Sequence, residues 1–329
     1  MSRPKRHHYV PVSYLKAFAA ADGQVWAYRK SEPLKPFRAK PSEVALERYY
    51  YSQPRPDGGR DDETLEQLFG TVETPWPRLA AALEEGDPLL SDADKLFAFL
   101  ALMRVRGPAS RDVAELLLAE QAKATAKMLE VSGRLPPPPD GLENMMDRVQ
   151  VAIDPHMSLH AMPHLLRGVS QLLEQLGFVA LHNETDTSFI TSDNPLIYFD
   201  PDVPEPALLP YTVRPPQGAI ELLFPVSPSL LLQGRSSLRS QSARRGVLHA
   251  TMKDRQWVKR ANRLTARFGY RLVIASHGGL ERLVARHAAE SPVALFEHAP
   301  APGGGHYLLT RSVFGLLQSK PKWSRAPNR

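Results

Sequence analysis

Two adjacent imidazoles, His7-His8, stand just before Tyr9-Val10-Pro11 and an apolar stripe of Tyr14, Leu15 and Phe18. Histidine titrates near neutrality, so either ring could serve as general base, metal ligand or backbone cap. If the segment is extended, neighbouring side chains point to opposite faces, so one imidazole faces inward and the other outward. A second candidate is Thr191-Ser192-Asp193-Asn194-Pro195. Its Asp and Asn can accept backbone N–H bonds locally, and Asn194 is pushed toward extended geometry by the proline that follows, which makes a turn without any chemistry. The same residues offer a carboxylate and an amide at a strand end, and an imidazole with a carboxylate is the minimal acid–base pair. The sequence leaves the catalytic and the structural reading open for both segments.

Three further groups are weaker. His156, His160 and His164 are spaced four apart, which on an unbroken helix would put three imidazoles on one face; Pro163 is expected to kink or break that helix. Arg106, followed by Gly107-Pro108, could clamp a phosphate or carboxylate with its planar fork, or cap the carbonyls of its own helix. Arg255, Lys259, Arg263 and Arg267 fall at helical spacing, interleaved with Trp257, Leu264 and Phe268. That mixture fits a nucleic-acid surface, and it fits a solvated amphipathic helix as well. No phosphate-binding loop, Gly-x-Ser-x-Gly elbow or His-Glu-x-x-His pattern is present. No cofactor site or metal site is indicated, and the sequence names neither substrate nor metal dependence.

Composition narrows the classes. The 329 residues are 43% apolar and 23% charged, ordinary for a water-soluble fold with a substantial core. The chain has no cysteine, which excludes disulfides, thiolate nucleophiles, Cys-based zinc sites and iron–sulfur clusters. The basic start carries no apolar signal region, and an apolar run such as Phe97 to Met103 is far too short to span a bilayer. A cytoplasmic protein without membrane association is expected. The net charge of +6 hides a division: residues 235–329 hold 18 Lys/Arg against four Asp/Glu, whereas 49–234 hold 13 against 27. Basic ends on an acidic middle suit internal charge matching at least as well as a phosphate-bearing partner.

The elements that must position these residues follow from periodicity. A short Pro11-initiated helix leads to a strand at 24–28, a helical turn at 41–46 and extended chain at Tyr49-Tyr50-Tyr51. Helices are expected over 62–85, broken at Pro75 and Pro77, then from an N-cap at 91–94 through Met103, and over 109–131. Pro136 to Pro139 form a stiff spacer, a candidate hinge at 132–140. Helical patterns recur near 141–152 and 157–176. After Gly177 the period changes to two, with strands at 178–181, 189–191, 196–199, 221–224 and 230–232, then a helix at 254–268 and a strand at 271–274. The reading is α+β: a helical first half packed on a mainly antiparallel sheet formed largely by the second half. One domain over 1–319 with a basic, frayed tail at 320–329 is expected.

His-His-Tyr-Val-Pro-x-x-Tyr-Leu-x-x-Phe and Ser-Asp-Asn-Pro together resemble the hallmarks of a widespread, mostly microbial family, domain of unknown function 4238. The resemblance runs in order through the Trp26 strand, the 42–51 segment, the 62–72 helix, Arg106-Gly107-Pro108 and Phe224-Pro225-Val226-Ser227-Pro228. It implies one shared fold, with the N-terminal motif docking near Asp193, and no assigned activity. It favours His8 over His7 as the functional imidazole. The leading expectation is a hydrolase-like or phosphodiester-acting site built from His8, Asp193 and Asn194, with Arg106 as anion clamp and His8 within hydrogen-bond reach of Asp193 or Asn194. The alternative is a non-catalytic module whose basic surface, Arg255, Lys259, Arg263 and Arg267, docks nucleic acid or an acidic protein.

Overall fold

The computed structural model describes residues 6–57, 59–136, 139, 141, 145–213, 218–300, 306–321 and 323. Part of the candidate hinge and most of the basic tail therefore lie outside the described residues. The elements form an α+β arrangement. One five-stranded sheet runs, edge to edge, through Leu248–Met252, Gly177–Asn183, Leu230–Arg235, Glu221–Ser227 and Ile197–Phe199. Its pairings are antiparallel except the parallel match of Leu248–Met252 with Gly177–Asn183. A second, antiparallel sheet orders Phe37–Ala39, Val25–Arg29, Leu272–Ala275 and Thr191–Ser192. Two strands from the start of the chain thus pair edge-on with two from its second half in this sheet, so the first half supplies more strand than its helical periodicity suggests.

Apolar spacing and proline placement explain most helices. Thr64–Glu73 and Trp76–Glu84 are separated at Pro75 as expected, with Pro77 tolerated in the first turn. Ala93–Val105 buries Leu96, Phe99, Leu100 and Met103, and Pro108–Val131 opens with its proline at the first helical position. Asp92 occupies the expected cap position, yet its carboxylate takes Arg78 and Lys95 rather than the helix backbone. Met157–Leu173 continues through Pro163, contrary to the expected break. The buried face of Ser158, Leu159 and Met162 holds the helix together while Pro163 is exposed. Tyr49-Tyr50-Tyr51 is a turn rather than extended chain, with Tyr49 at φ 56° and the Ser52 amide donating to the Tyr49 carbonyl at 3.1 Å. A hairpin of two ten-residue strands, Ser291–Pro300 with His306–Gly315, was not legible in the periodicity.

The core between the helices and the larger sheet is aromatic. Trp76 stacks on Phe99 at 4.1 Å between ring centres, and Phe224 meets both rings edge-on. Tyr14 packs into the same cluster and, fully buried, places its hydroxyl 2.6 Å from Thr191 Oγ1 and donates to the Pro225 carbonyl at 2.7 Å. A buried phenol without such partners would cost roughly 1–3 kcal/mol. The two hallmark segments do dock on one another, and Tyr14 with Thr191 makes the joint.

The smaller sheet is tied to helix Arg255–Phe268 by one buried cation. Lys30 follows the strand Val25–Arg29 and donates from Nζ to the carbonyls of Ala266, Arg267, Gly269 and Glu290 at 2.9–3.2 Å. It caps the negative end of the helix. Burial draws its pKa down to about 8, against the opposing pull of Asp193 and Glu290. The unfolded chain, with an ordinary lysine pKa near 10.5, therefore binds more protons above pH 8, and stability must rise with pH there. Between pH 8 and 9.5 we expect a gain on the order of 1–2 kcal/mol in urea denaturation, absent in Lys30→Met. A flat or falling profile in the native protein would contradict this account of the cap.

Candidate functional site

The N-terminal strand Arg6–His8 pairs antiparallel with Leu46–Arg48, His7 facing Glu47 and His8 facing Leu46. Alternation across this pair buries His7, 2% exposed, and leaves His8 half-buried. The inward imidazole is thus His7, whose Nδ1 accepts the Tyr51 amide N–H at 2.9 Å and whose ring stacks on Tyr51. His8 donates from Nε2 to the Ser42 carbonyl at 3.1 Å. Burial lowers its pKa, the Ser42 carbonyl opposing, and His8 ties the motif strand to the helical turn Pro41–Glu43.

Arg106 is 1% exposed and leaves no fork open for a ligand anion. Its guanidinium pairs with Glu73 and donates to the His8 carbonyl, and its Nε donates to the Tyr51 hydroxyl at 3.3 Å. That hydroxyl in turn donates to the Arg106 carbonyl at 2.9 Å. The expected anion clamp is a buried tie between the motif strand and the junction of two long helices. The reason is position: as the last residue before Gly107-Pro108 it points back into the core rather than out past the helix end.

Asp193 is equally committed. Its two carboxylate oxygens accept the backbone N–H groups of Tyr270 and Arg271, both at 2.7 Å, and it is 1% exposed. Burial raises its pKa while those amides resist. Asn194 donates from Nδ2 to the Phe268 carbonyl at 2.8 Å and to the Tyr211 hydroxyl. Among the described residues, the side chain of His8 makes no hydrogen bond with Asp193 or Asn194. The expected approach of His8 to Asp193, directly or through one water, is thus not made by a direct bond: the His8 ring bonds the Ser42 carbonyl and the Asp193 carboxylate bonds two backbone amides.

The basic helix Arg255–Phe268 is matched within the molecule. Arg263 pairs with Glu205, Arg267 with Glu290, and Arg255 with Asp186, while Arg267 is largely buried under Phe314. Lys259 is half-buried. Three of the four expected nucleic-acid contacts thus carry carboxylate partners, which is the internal charge matching the composition allowed. His160 and His164, four apart on the unbroken helix, share one exposed face, with His156 at the cap position before it. Among the described residues no group of three or more His, Asp or Glu side chains is arranged to hold a metal ion.

Charged groups do converge in a cleft of about 720 Å³. One wall is the segment from Glu47 to Tyr50, positioned by its pairing with the motif strand. The floor is the first turns of helix Pro108–Val131, where Arg111, Asp112 and Glu115 are nearly buried. Asp112 accepts the Tyr270 hydroxyl at 2.8 Å and Arg271 at 3.1 Å, and Ser158 bonds both Glu115 and Arg111. Asp193 therefore acts from behind, through backbone, to fix Tyr270 and Arg271 against the cleft. At the rim stand Arg48 and Arg60, with no carboxylate partner among the described residues, Arg60 lying over the Tyr49 ring at 4.2 Å. His156 faces them, its Nε2 3.7 Å from Asp154 Oδ1. The Tyr50 hydroxyl is enclosed without a protein partner, and burial keeps it protonated by raising its pKa.

Sequence reasoning committed none of this set to a site and weighed His156 only through its spacing with His160 and His164. The signal for the floor was present in the i, i+1, i+4 run of Arg111, Asp112 and Glu115 at a helix start, but nothing in one sequence says that residues 47, 112, 156 and 271 meet.

The fold and the cleft define an α+β protein with charged side chains gathered between a long helix, a turn and a sheet end. The chain belongs to the family described as protein of unknown function (DUF4238), whose model matches residues 6–279. No curated protein and no solved structure matches it. No helix among the described residues is long and apolar enough to cross a membrane.

Proposed function

We propose that the chain acts on an anionic small molecule, a phosphodiester or related ester, bound in this cleft. His156, whose backbone N–H donates to Asp154 Oδ1 at 3.1 Å and whose Nε2 lies 3.7 Å from it, is the acid–base group, and Arg48 and Arg60 grip the anion. His8, Arg106, Asp193 and Asn194 are positioning residues that build the walls. The observation that carries the reading is the pair of arginines, with no carboxylate partner among the described residues, lining the same cleft as His156 and Asp154. Unpaired guanidinium forks suit phosphate and carboxylate oxygens, and an imidazole is the commonest side chain for proton transfer. The alternative, a non-catalytic module reading nucleic acid or an acidic protein through Arg255, Lys259, Arg263 and Arg267, has less support because those arginines are paired internally.

A screen of chromogenic phosphodiesters and carboxylic esters tests the reading. His156→Ala should lower turnover by roughly 100-fold or more, as for loss of an acid–base group, with the melting temperature unchanged. Arg48→Ala and Arg60→Ala should each raise KM about tenfold, the scale of one charge-assisted contact. Turnover indifferent to His156→Ala would sink the catalytic assignment, and binding of substrate without turnover would favour a sensor.

A further inference from the structure

The cleft offers flat rings as well as charge. Tyr49 follows Arg48 in the chain and lines the cleft beside Arg60, 37% exposed. Its backbone lies in the left-handed region at φ 56°, a costly conformation for an aromatic residue and of the kind that clusters at ligand sites. The Ser52 amide, donating to its carbonyl at 3.1 Å, and the Arg60 guanidinium 4.2 Å over its ring hold it there. Trp323, 45% exposed, lines the same cleft as a second open ring. Single exposed apolar side chains are ordinary on any surface, but here two aromatic rings share one charged cleft.

The charge itself has two signs. Arg48 and Arg60, without carboxylate partners among the described residues, suit phosphate oxygens. Glu47, its side chain 52% exposed, and Asp154 put carboxylate oxygens on the same cleft. A bare polyanion meets those carboxylates unfavourably. A ligand with phosphate at one end and a planar, N–H-bearing ring at the other satisfies both signs. Carboxylates accept from the amino groups of such a ring, and its flat face stacks on aromatic side chains. The volume of about 720 Å³ is ample for one molecule of this kind.

From this we infer that the anion taken by the cleft is a nucleoside phosphate, its phosphate on Arg48 and Arg60 and its base stacked on Tyr49 and Trp323. The inference deepens the anion-site reading above and rests on it.

Calorimetric titration of the full chain with ADP and with pyrophosphate tests it, since the two share a diphosphate and differ by the nucleoside. ADP should bind about tenfold more tightly, the scale of one stacked base. Equal affinities, or tighter binding of pyrophosphate, overturn the nucleoside assignment and leave the anion site standing. Binding of neither overturns the anion-site reading, and this inference falls with it. The double variant Tyr49→Gly, Trp323→Ala then locates the base. Glycine adopts φ 56° without strain, so the turn is kept, and the ratio of the two affinities should fall to about one. A ratio unchanged from the native chain would place the base elsewhere and overturn the inference.

Discussion

Arg106→Met is expected to lower the unfolding free energy by about 3–5 kcal/mol, the usual result of removing one partner from a buried ion pair. The substitution keeps an unbranched apolar stem and deletes every donor. It leaves Glu73, the His8 carbonyl and the Tyr51 hydroxyl without the guanidinium that joins them. Arg106→Lys should recover only part of the loss, because one ammonium cannot satisfy three acceptors spread around a planar fork. Urea denaturation of the three proteins is the measurement. A loss below about 1 kcal/mol, the scale of an exposed pair, would mean that the residue is free to serve a ligand after all.

Asp193→Ala should cost about 3 kcal/mol, since the buried N–H of Tyr270 and the partly buried N–H of Arg271 lose the carboxylate that accepts them, at roughly 1–3 kcal/mol each. The consequence should reach the cleft, because Arg271 is held there through its own backbone. Calorimetric titration with pyrophosphate should show weaker binding even below the melting transition. A catalytic carboxylate would behave in the opposite way, with an unchanged melting temperature and lost turnover. Asp193→Asn keeps one acceptor and turns an amide N–H toward a backbone donor, so intermediate destabilisation is expected. An unchanged midpoint for Asp193→Ala would return the residue to the list of candidate catalysts.

Element type was largely readable from the chain because it follows from local physics. Helical spacing of Leu65, Phe69 and Val72, the proline at 108 and the shift to alternation after Gly177 all reappear in the structure. Where local signals misled, a tertiary contact overrode them. Pro163 sits inside an intact helix because the opposite face is buried, and Tyr49 takes a left-handed turn with Arg60 over its ring. The strand Leu248–Met252, mostly half-exposed at a sheet edge, carries too little apolar alternation to announce itself.

The two polar motifs were visible as motifs, and their residue types alone said that they would be ordered: Pro11 and Pro195 restrict the backbone, and Asp and Asn bind it. Their roles were not visible. Whether His7 or His8 faces inward depends on the register with Leu46–Arg48, since a one-residue slip exchanges the faces of a strand. Whether Asp193 holds a proton or a backbone depends on which amides arrive from residues 270 and 271. The cleft collects Glu47, Asp112, His156, Arg271 and Lys320. Hydrophobic periodicity records which side of an element is buried, but not which elements meet across that burial. Local patterning therefore determined the helices, strands and turns, whereas the pairing of distant strands alone decided which charged groups face one another.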